Sequence, residues 1–304
     1  MNKLNEEIEL EKLFKALYKG KFIIIISTIL FSVFAVFYSL SLSNEYTSSS
    51  KLKISEGMDS GTNSFQQYSG IASIAGVNLP SNKSDSASVA IATILSRDFL
   101  EHLLEIDDVR AKLAASSGFD KLTGKIVYDQ DIYDPIQKKW TRSKTYFSQS
   151  VIPSHLELYS KYRSILRVSQ DKDTGLIDIS VKHLSPNFAN EFLSLIISEI
   201  NEISKKRDIE IANDSLDFIQ KKIISTQLAE IKSTLNILLT EQLKKQMLVN
   251  VSKYYILEPI DSPYIPEMKS GPNRALICIL FSLTGLILSM TFVLLTNFFK
   301  DQED

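Results

Sequence analysis

Hydrophobic and polar residues follow three different regimes along this chain. The first is uncharged. No Lys, Arg, Asp or Glu falls within the 21 residues Phe22–Leu42 or the 24 residues Ala275–Phe298. At about 1.5 Å per helical residue these runs reach roughly 32 and 36 Å, enough to cross a hydrocarbon core about 30 Å thick. The second regime alternates. Leu52 and Ile54 alternate with Lys51 and Lys53, while Ile177, Ile179 and Val181 alternate with Asp178, Ser180 and Lys182. That pattern predicts half-buried strands near 46–54 and 176–182. The third regime is helical. From Asn187 to Glu258, 72 residues pass without Gly or Pro. Phe188, Phe192, Ile196, Ile200 and Ile203 recur at helical steps, and the steps resume at Leu216, Ile219, Ile223, Leu228, Ile231, Leu235, Leu238 and Leu243.

Ser185-Pro186 predicts the start of that helix. One helix over about 187–248 would hold about 60 residues and measure roughly 90 Å. Such an element is expected to project, with its apolar stripe covered by other helices or other chains. A bend is expected in the polar stretch Ser204–Asp214. The β-branched and aromatic run Val249–Leu257 predicts a third strand, joining the other two in a small sheet near the membrane. Pro259, Pro263, Pro266 and Pro272 then fall within fourteen residues. They predict a stiff, extended connector over 259–272, because proline fixes φ and removes a donor. Arg274 follows, at the level where a cation stays solvated by head groups.

The remaining segments are less regular. Residues 55–86, rich in Ser, Gly and Asn, read as a loop around an apolar island, Ile71–Val77. A helix is expected over Ser86–Leu104, capped by Ser86 or Ser88, and another over Leu156–Val168. Asp134-Pro135 marks a turn, and the lone Trp140 is expected to be a packed aromatic. The fold class is therefore an α+β membrane protein: two transmembrane helices flank a periplasmic domain with a small membrane-proximal sheet and a very long projecting helix.

Charge orients the chain. Lys3, Lys12, Lys15, Lys19 and Lys21 precede the first apolar run, and the next basic residue is Lys51. The positive-inside rule then places the N-terminus in the cytoplasm, and two spans return the C-terminus there. The expected organisation is a cytoplasmic N-tail (1–21), a first span (22–42), a periplasmic domain (43–274), a second span (275–298) and a short cytoplasmic C-tail (299–304). A cleaved signal peptide is the competing reading of the first run. Its apolar stretch exceeds the usual core of about 7–15 residues, so retention is expected. The 304-residue chain has a net charge of −2. Residues 43–274 hold 28 basic and 29 acidic side chains, which argues against binding nucleic acid.

Small residues recur in both spans at one spacing: Thr28, Ser32, Ala35 and Ser39 in the first, Cys278, Ser282, Gly285 and Ser289 in the second. Each set makes one stripe, and small stripes let membrane helices approach closely. The two spans are expected to pair, within or between subunits. The single cysteine, Cys278, is then a packing residue, and one cysteine excludes a disulfide scaffold or a Cys-rich metal site. His102, His155 and His183 form no HExxH and no close pair; each is expected on a surface or helix face. Neither Gly20-Lys21 nor Gly124-Lys125 has the surroundings of a phosphate loop, and no GxSxG or GxGxxG occurs. No catalytic, cofactor-binding or metal-ligating constellation is expected. The candidate functional positions are the connector, Arg274 and the small-residue stripes.

Several local stretches resemble the Wzz-type chain-length determinants, or polysaccharide co-polymerases. Glu6–Lys21 is similar to the family's N-terminal lead-in. Asp173-Thr-Gly-Leu-Ile-Asp-Ile-Ser-Val followed by Ser185-Pro186 is similar to its strand-to-helix passage. Leu257-Glu-Pro with Pro263, Pro266, Ser270, Pro272 and Arg274 resembles its proline-rich segment, with Asn273 where lysine is common. The resemblance implies a Gram-negative inner-membrane scaffold without a kinase domain. It implies control of the modal length of O-antigen lipopolysaccharide or a related surface polysaccharide. The implied partners are a Wzy-type polymerase, lipid-linked polysaccharide and further copies of the chain in a ring, roughly octameric. A periplasmic adaptor for capsule or exopolysaccharide export is the alternative reading. A sensory receptor is a third; its output domain would not fit the C-tail.

Overall fold

A computed structural model of the chain describes residues 17–55, 83–106, 108–144, 150–225, 228–251 and 254–300. These residues form two units, one on either side of the boundaries at Glu45/Tyr46 and Met268/Lys269. The apolar island Ile71–Val77 lies outside the described residues.

Among the described residues the long helices of the first unit are α1 (Lys21–Ser41) and the C-terminal helix Arg274–Lys300. Both are long and apolar enough to cross a membrane. Most of their large side chains are exposed, among them Phe22, Leu30 and Phe37 on one and Ile279, Leu283 and Phe292 on the other. An apolar exterior of this kind suits lipid as the surrounding solvent.

The second unit is built on a four-stranded antiparallel sheet. Its strands are β1 (Tyr46–Ile54), β6 (Leu166–Gln170), β7 (Ile177–His183) and β8 (Leu257–Asp261), in the order β6-β7-β1-β8. Between β1 and β6 lie α2 (Lys83–Ile94), α3 (Arg97–Glu105) and α4 (Val109–Ala115), then β2 (Ser116–Asp120), β3 (Lys125–Tyr128), β4 (Tyr133–Asp134) and β5 (Lys139–Trp140), then α5 (His155–Ile165). After β7 come α6 (Pro186–Ser225) and α7 (Ala229–Val251), and the C-terminal helix Arg274–Lys300 is α8.

The alternating residues set the core. Leu52, Ile177, Ile179 and Val181 are buried on one face of the sheet, in one cluster with Phe188, Phe192, Leu193, Ile196 and Ile200 of α6. Helices α2, α3 and α5 complete that cluster with Ile94, Leu100, Leu103 and Tyr162. Two tyrosines of α5 finish α2: Tyr162 donates to the Ile94 carbonyl at 2.6 Å and Tyr159 to that of Leu95 at 2.7 Å. These are last-turn carbonyls that the helix itself leaves unpaired. A smaller cluster joins Ala111, Ala115 and Tyr133, with Trp140 packed on Tyr133 at 5.0 Å between ring centroids.

Several expectations need correction. The long helical region is two helices. α6 runs 40 residues, about 60 Å, straight through Ser204–Asp214. Polar side chains there do not break a helix: Lys206, Glu210, Asn213 and Asp214 face outward, Ser204 is buried, and Lys206–Glu202 adds an i,i+4 ion pair at 3.7 Å. The break falls after Ser225, at the end of the β-branched pair Ile223-Ile224, where the Ser225 hydroxyl bonds back to the Lys222 carbonyl. α7 then returns antiparallel: Gln246 donates to Asn213 at 2.8 Å, and Tyr255, just beyond α7, reaches Asp208 at 2.6 Å. Ala212, Leu216 and Ile219 are the α6 residues buried along this outer half.

The third strand begins at Leu257 and runs to Asp261, because the run from Val249 is still helical to Val251. The expected helix 86–104 is two helices, split where Ser96 caps α3 by accepting from the Phe99 N–H at 3.1 Å. The expected helix 156–168 ends at Ile165, and its tail is strand β6.

Candidate functional site

Strand β1 is rich in serine because its inner face must hold polar chain as well as apolar core. Ser48 and Ser50 point inward and are buried. Ser48 Oγ donates to the Tyr264 carbonyl at 2.7 Å, and Ser50 Oγ donates to that of Asp261. Prolines cannot donate, so carbonyls are what this connector offers, and hydroxyl donors meet them. Pro259 lies in edge strand β8, opposite Leu52 and beside an irregularity in the β1–β8 register. An edge is where a strand tolerates proline. The free connector therefore starts after Asp261, and it carries Pro263, Pro266 and Pro272.

The start of β8 is held by one buried side chain, Asn201 of α6. Its Oδ1 accepts from three consecutive backbone N–H groups: Tyr255 at 2.9 Å, Ile256 at 2.8 Å and Leu257 at 3.0 Å. Its Nδ2 donates to the Leu257 carbonyl at 2.9 Å and to the Ile197 carbonyl at 2.7 Å. Beside it opens a cleft of about 430 Å³, lined by Ser194, Ser198, Glu202 and Lys205 of α6 with Tyr254 and Pro263 opposite. Burial and the Asp208 carboxylate push the Tyr255 hydroxyl up, so it stays a donor.

In the first unit the two chain segments meet outside the helices. Glu45 N–H donates to the Gly271 carbonyl at 2.9 Å, and Ser270 N–H donates to the Glu45 carbonyl at 2.8 Å. Arg274 donates to the Leu42 carbonyl and to Asn44 Oδ1, both at 3.2 Å. The helices then pack antiparallel along the small residues. Ser32 and Ser282 share a hydrogen bond of 2.8 Å. Gly285 lies so close to Phe31 that an added Cβ would stand 2.6 Å from the Phe31 Cβ, and one at Gly20 would stand 2.3 Å from Val293. Ala35, Ser39 and Ser289 are buried. Thr28 bonds within its own helix to the Ile24 carbonyl, and Cys278 supplies the carbonyl that accepts from Ser282. Phe281 adds aromatic contacts to Phe34 and Tyr38 at 6.2 and 5.7 Å.

The histidines fall apart in space. His102 pairs with Glu199 at 2.7 Å and His155 with Glu101 at 3.3 Å. His183 departs from expectation: it is buried at the end of β7, edge-on to Phe188 at 4.5 Å, and its Nδ1 accepts from the Ser185 N–H. Burial, helped by the charge of Lys161, lowers its pKa to about 4, so it stays neutral. Among the described residues no three His, Cys, Asp or Glu side chains come together to hold a metal ion.

Residues 6–105 match the family model described as Wzz, chain length determinant protein. Over that third of its length the chain is similar to the chain-length determinants. Beside that match stand the two helices, Lys21–Ser41 and Arg274–Lys300, that are long and apolar enough to cross a membrane. Two solved structures are similar. One, a full-length bacterial polysaccharide co-polymerase, is 15% identical, with 95% of this chain and 97% of that one covered at a TM-score of 0.41. The other, a fragment of WzzB, a polysaccharide co-polymerase from Salmonella Typhimurium, is 13% identical, covering 75% and 100% of the two chains at a TM-score of 0.32. No curated protein matches.

Sequence reasoning missed Asn201, Ser48 and Ser50. The signals were present but weak. Asn201 is a poor helix former in the middle of an apolar face, flanked by Ile200 and Ile203. The serines alternate with the half-buried Thr47 and Ser49 and the exposed Lys51, in register with Tyr46 and Leu52. Also unforeseen was how much apolar surface the α6–α7 hairpin leaves open. Ile211, Phe218, Ile224, Leu228, Ile237 and Met247 are exposed on it. A monomer in water rarely shows so many large apolar side chains on one element.

Proposed function

We propose that this protein sets the modal length of O-antigen or a related surface polysaccharide beside a Wzy-type polymerase, as a ring of identical subunits that forms no bond itself. The observation that carries the reading is the chain-length-determinant match over residues 6–105, in a chain with an apolar helix near each end. In this reading both termini are cytoplasmic and the Tyr46–Met268 body is periplasmic, as the lysines before α1 favour. The open apolar side chains of α6 and α7 support self-association, since neighbouring copies would cover them. The connector and the paired helices hold the assembly against the polymerase, and the serine anchors, Arg274 and Gly285 are the positions on which that hold depends.

The test is an O-antigen ladder gel of a deletion strain with and without this gene. The expected result is polymer in both, with a broad length distribution in the deletion and a narrow mode on complementation. Loss of all polymer in the deletion would refute a length-setting role. The assembly is tested by the mass of the protein in mild detergent, where a monomer at every concentration would refute the ring.

A further inference from the structure

Turns are normally built from polar residues. The β2–β3 hairpin puts a leucine at the apex of its turn. Leu122 is 97% exposed, and its neighbours on either side of the turn are Lys121 and Lys125. The turn is held stiffly. The Asp120 carboxylate accepts from the Leu122 N–H at 2.9 Å and from the Thr123 hydroxyl at 2.7 Å. Gly124 closes it at φ 68, in the left-handed region, donating to the Asp120 carbonyl at 2.9 Å. So the leucine is fixed outward on a short finger between two cations.

The finger sits at the end of the body from which the chain leaves for the first apolar helix. Phe119 of β2 lies edge-on to Tyr46, the first residue of β1, at 6.2 Å between ring centroids. The Gly124 carbonyl accepts from Asn187, in the first turn of α6, at 3.4 Å. Tyr46 comes five residues after Ser41, where α1 ends. The connector brings a second apolar side chain to the other chain exit. Met268, 85% exposed, precedes Lys269, and Ser270 bonds to Glu45.

We propose that Leu122 and Met268 of the Tyr46–Met268 body insert into a lipid head-group layer, while Lys121 and Lys125 meet anionic lipid phosphates. Apolar apices flanked by lysine suit that layer, where the aliphatic tip leaves water and the ammonium groups stay hydrated beside phosphate. This goes beyond the chain-length role, which the ladder gel tests separately.

The test uses the full chain in proteoliposomes of phosphatidylethanolamine with phosphatidylglycerol, some carrying brominated acyl chains. Leu122→Trp and Met268→Trp are each compared with the parent protein, whose Trp140 signal is subtracted. Ile136→Trp is the control, since Ile136 caps the other hairpin, is 92% exposed, and is flanked by Lys138 and Lys139. The expected result is blue-shifted emission and several-fold stronger quenching by brominated lipid at 122 and 268 than at 136. Lys121→Glu with Lys125→Glu should remove the quenching at 122. Equal quenching at 122 and 136 would overturn the proposal. So would a blue shift at 122 with no lipid quenching, which would mean that protein covers the finger.

Discussion

Replacing Asn201 by leucine keeps the branching and the number of side-chain heavy atoms and removes every polar atom that ties α6 to the start of β8. Three backbone N–H groups then lose their acceptor. Tyr255 and Ile256, which own two of them, are 4% and 1% exposed. Each buried donor left unpaired costs about 1–3 kcal/mol. The adjacent cleft admits water to part of the site, which places the total near the lower end, about 3–5 kcal/mol. For a domain of this size, that is a fall in melting temperature of about 6–20 °C. Asn201→Asp keeps the acceptor and loses the two donated bonds, so it should fall between leucine and the parent. The assay is far-UV circular dichroism of the purified full-length protein in detergent, melted at neutral pH. Melting of the leucine variant within about 2 °C of the parent would refute the reasoning. So would an aspartate variant less stable than the leucine one.

The buried His183 predicts an acid limb. Its pKa is about 4 in the folded body and about 6.5 when unfolded. Between those values the unfolded chain binds the extra proton, so stability is full above about pH 6.5 and is lost as pH falls towards 4, by about 3 kcal/mol at most. His183→Gln should flatten that limb in melting temperatures taken from pH 7 to 4; an unchanged slope would refute it. Gly285→Leu puts a side chain where Phe31 already stands, at a cost of about 1–3 kcal/mol to helix pairing. It should shift the polysaccharide ladder while the Tyr46–Met268 body melts as before, and an unchanged ladder would count against a role for the pairing. Ser48→Ala with Ser50→Ala leaves two connector carbonyls without their donors, about 2 kcal/mol together, and should raise amide exchange over Tyr264–Met268. Pro266→Ala removes one φ constraint from that stretch and should alter ladder length without lowering the melting temperature of the body.

The apolar helices, strands β1 and β7 and the start of α6 were legible because each rests on local pattern alone. An uncharged run, a period of two and a Ser-Pro start need no partner to be recognised. The reversal after Ser225 was not legible, since neither Gly nor Pro marks it and the stripe from Leu216 to Leu243 looks the same on one helix as on two facing each other. Likewise β6 was hidden by five residues, Leu166–Gln170, that continue a helical pattern and become a strand by pairing with Ile177–Val181. His183 was read as a surface group because a lone histidine is usually one, and its burial comes from Phe188, five positions along the chain. At the candidate site, the prolines and small residues showed their positions. Their partners did not show, because Ser48 meets Tyr264 and Ser32 meets Ser282 across more than two hundred residues.

The bonds joining Glu45 to Ser270 and Gly271 bring both ends of the Tyr46–Met268 body to a single doorway. A loop whose mouth is already fastened can gain or lose residues inside without moving its anchor. Turns added to or removed from the α6–α7 hairpin would come in matched pairs and leave Ser32 facing Ser282. Such a hairpin can be lengthened or shortened while the pairing of the two apolar helices is left unaltered.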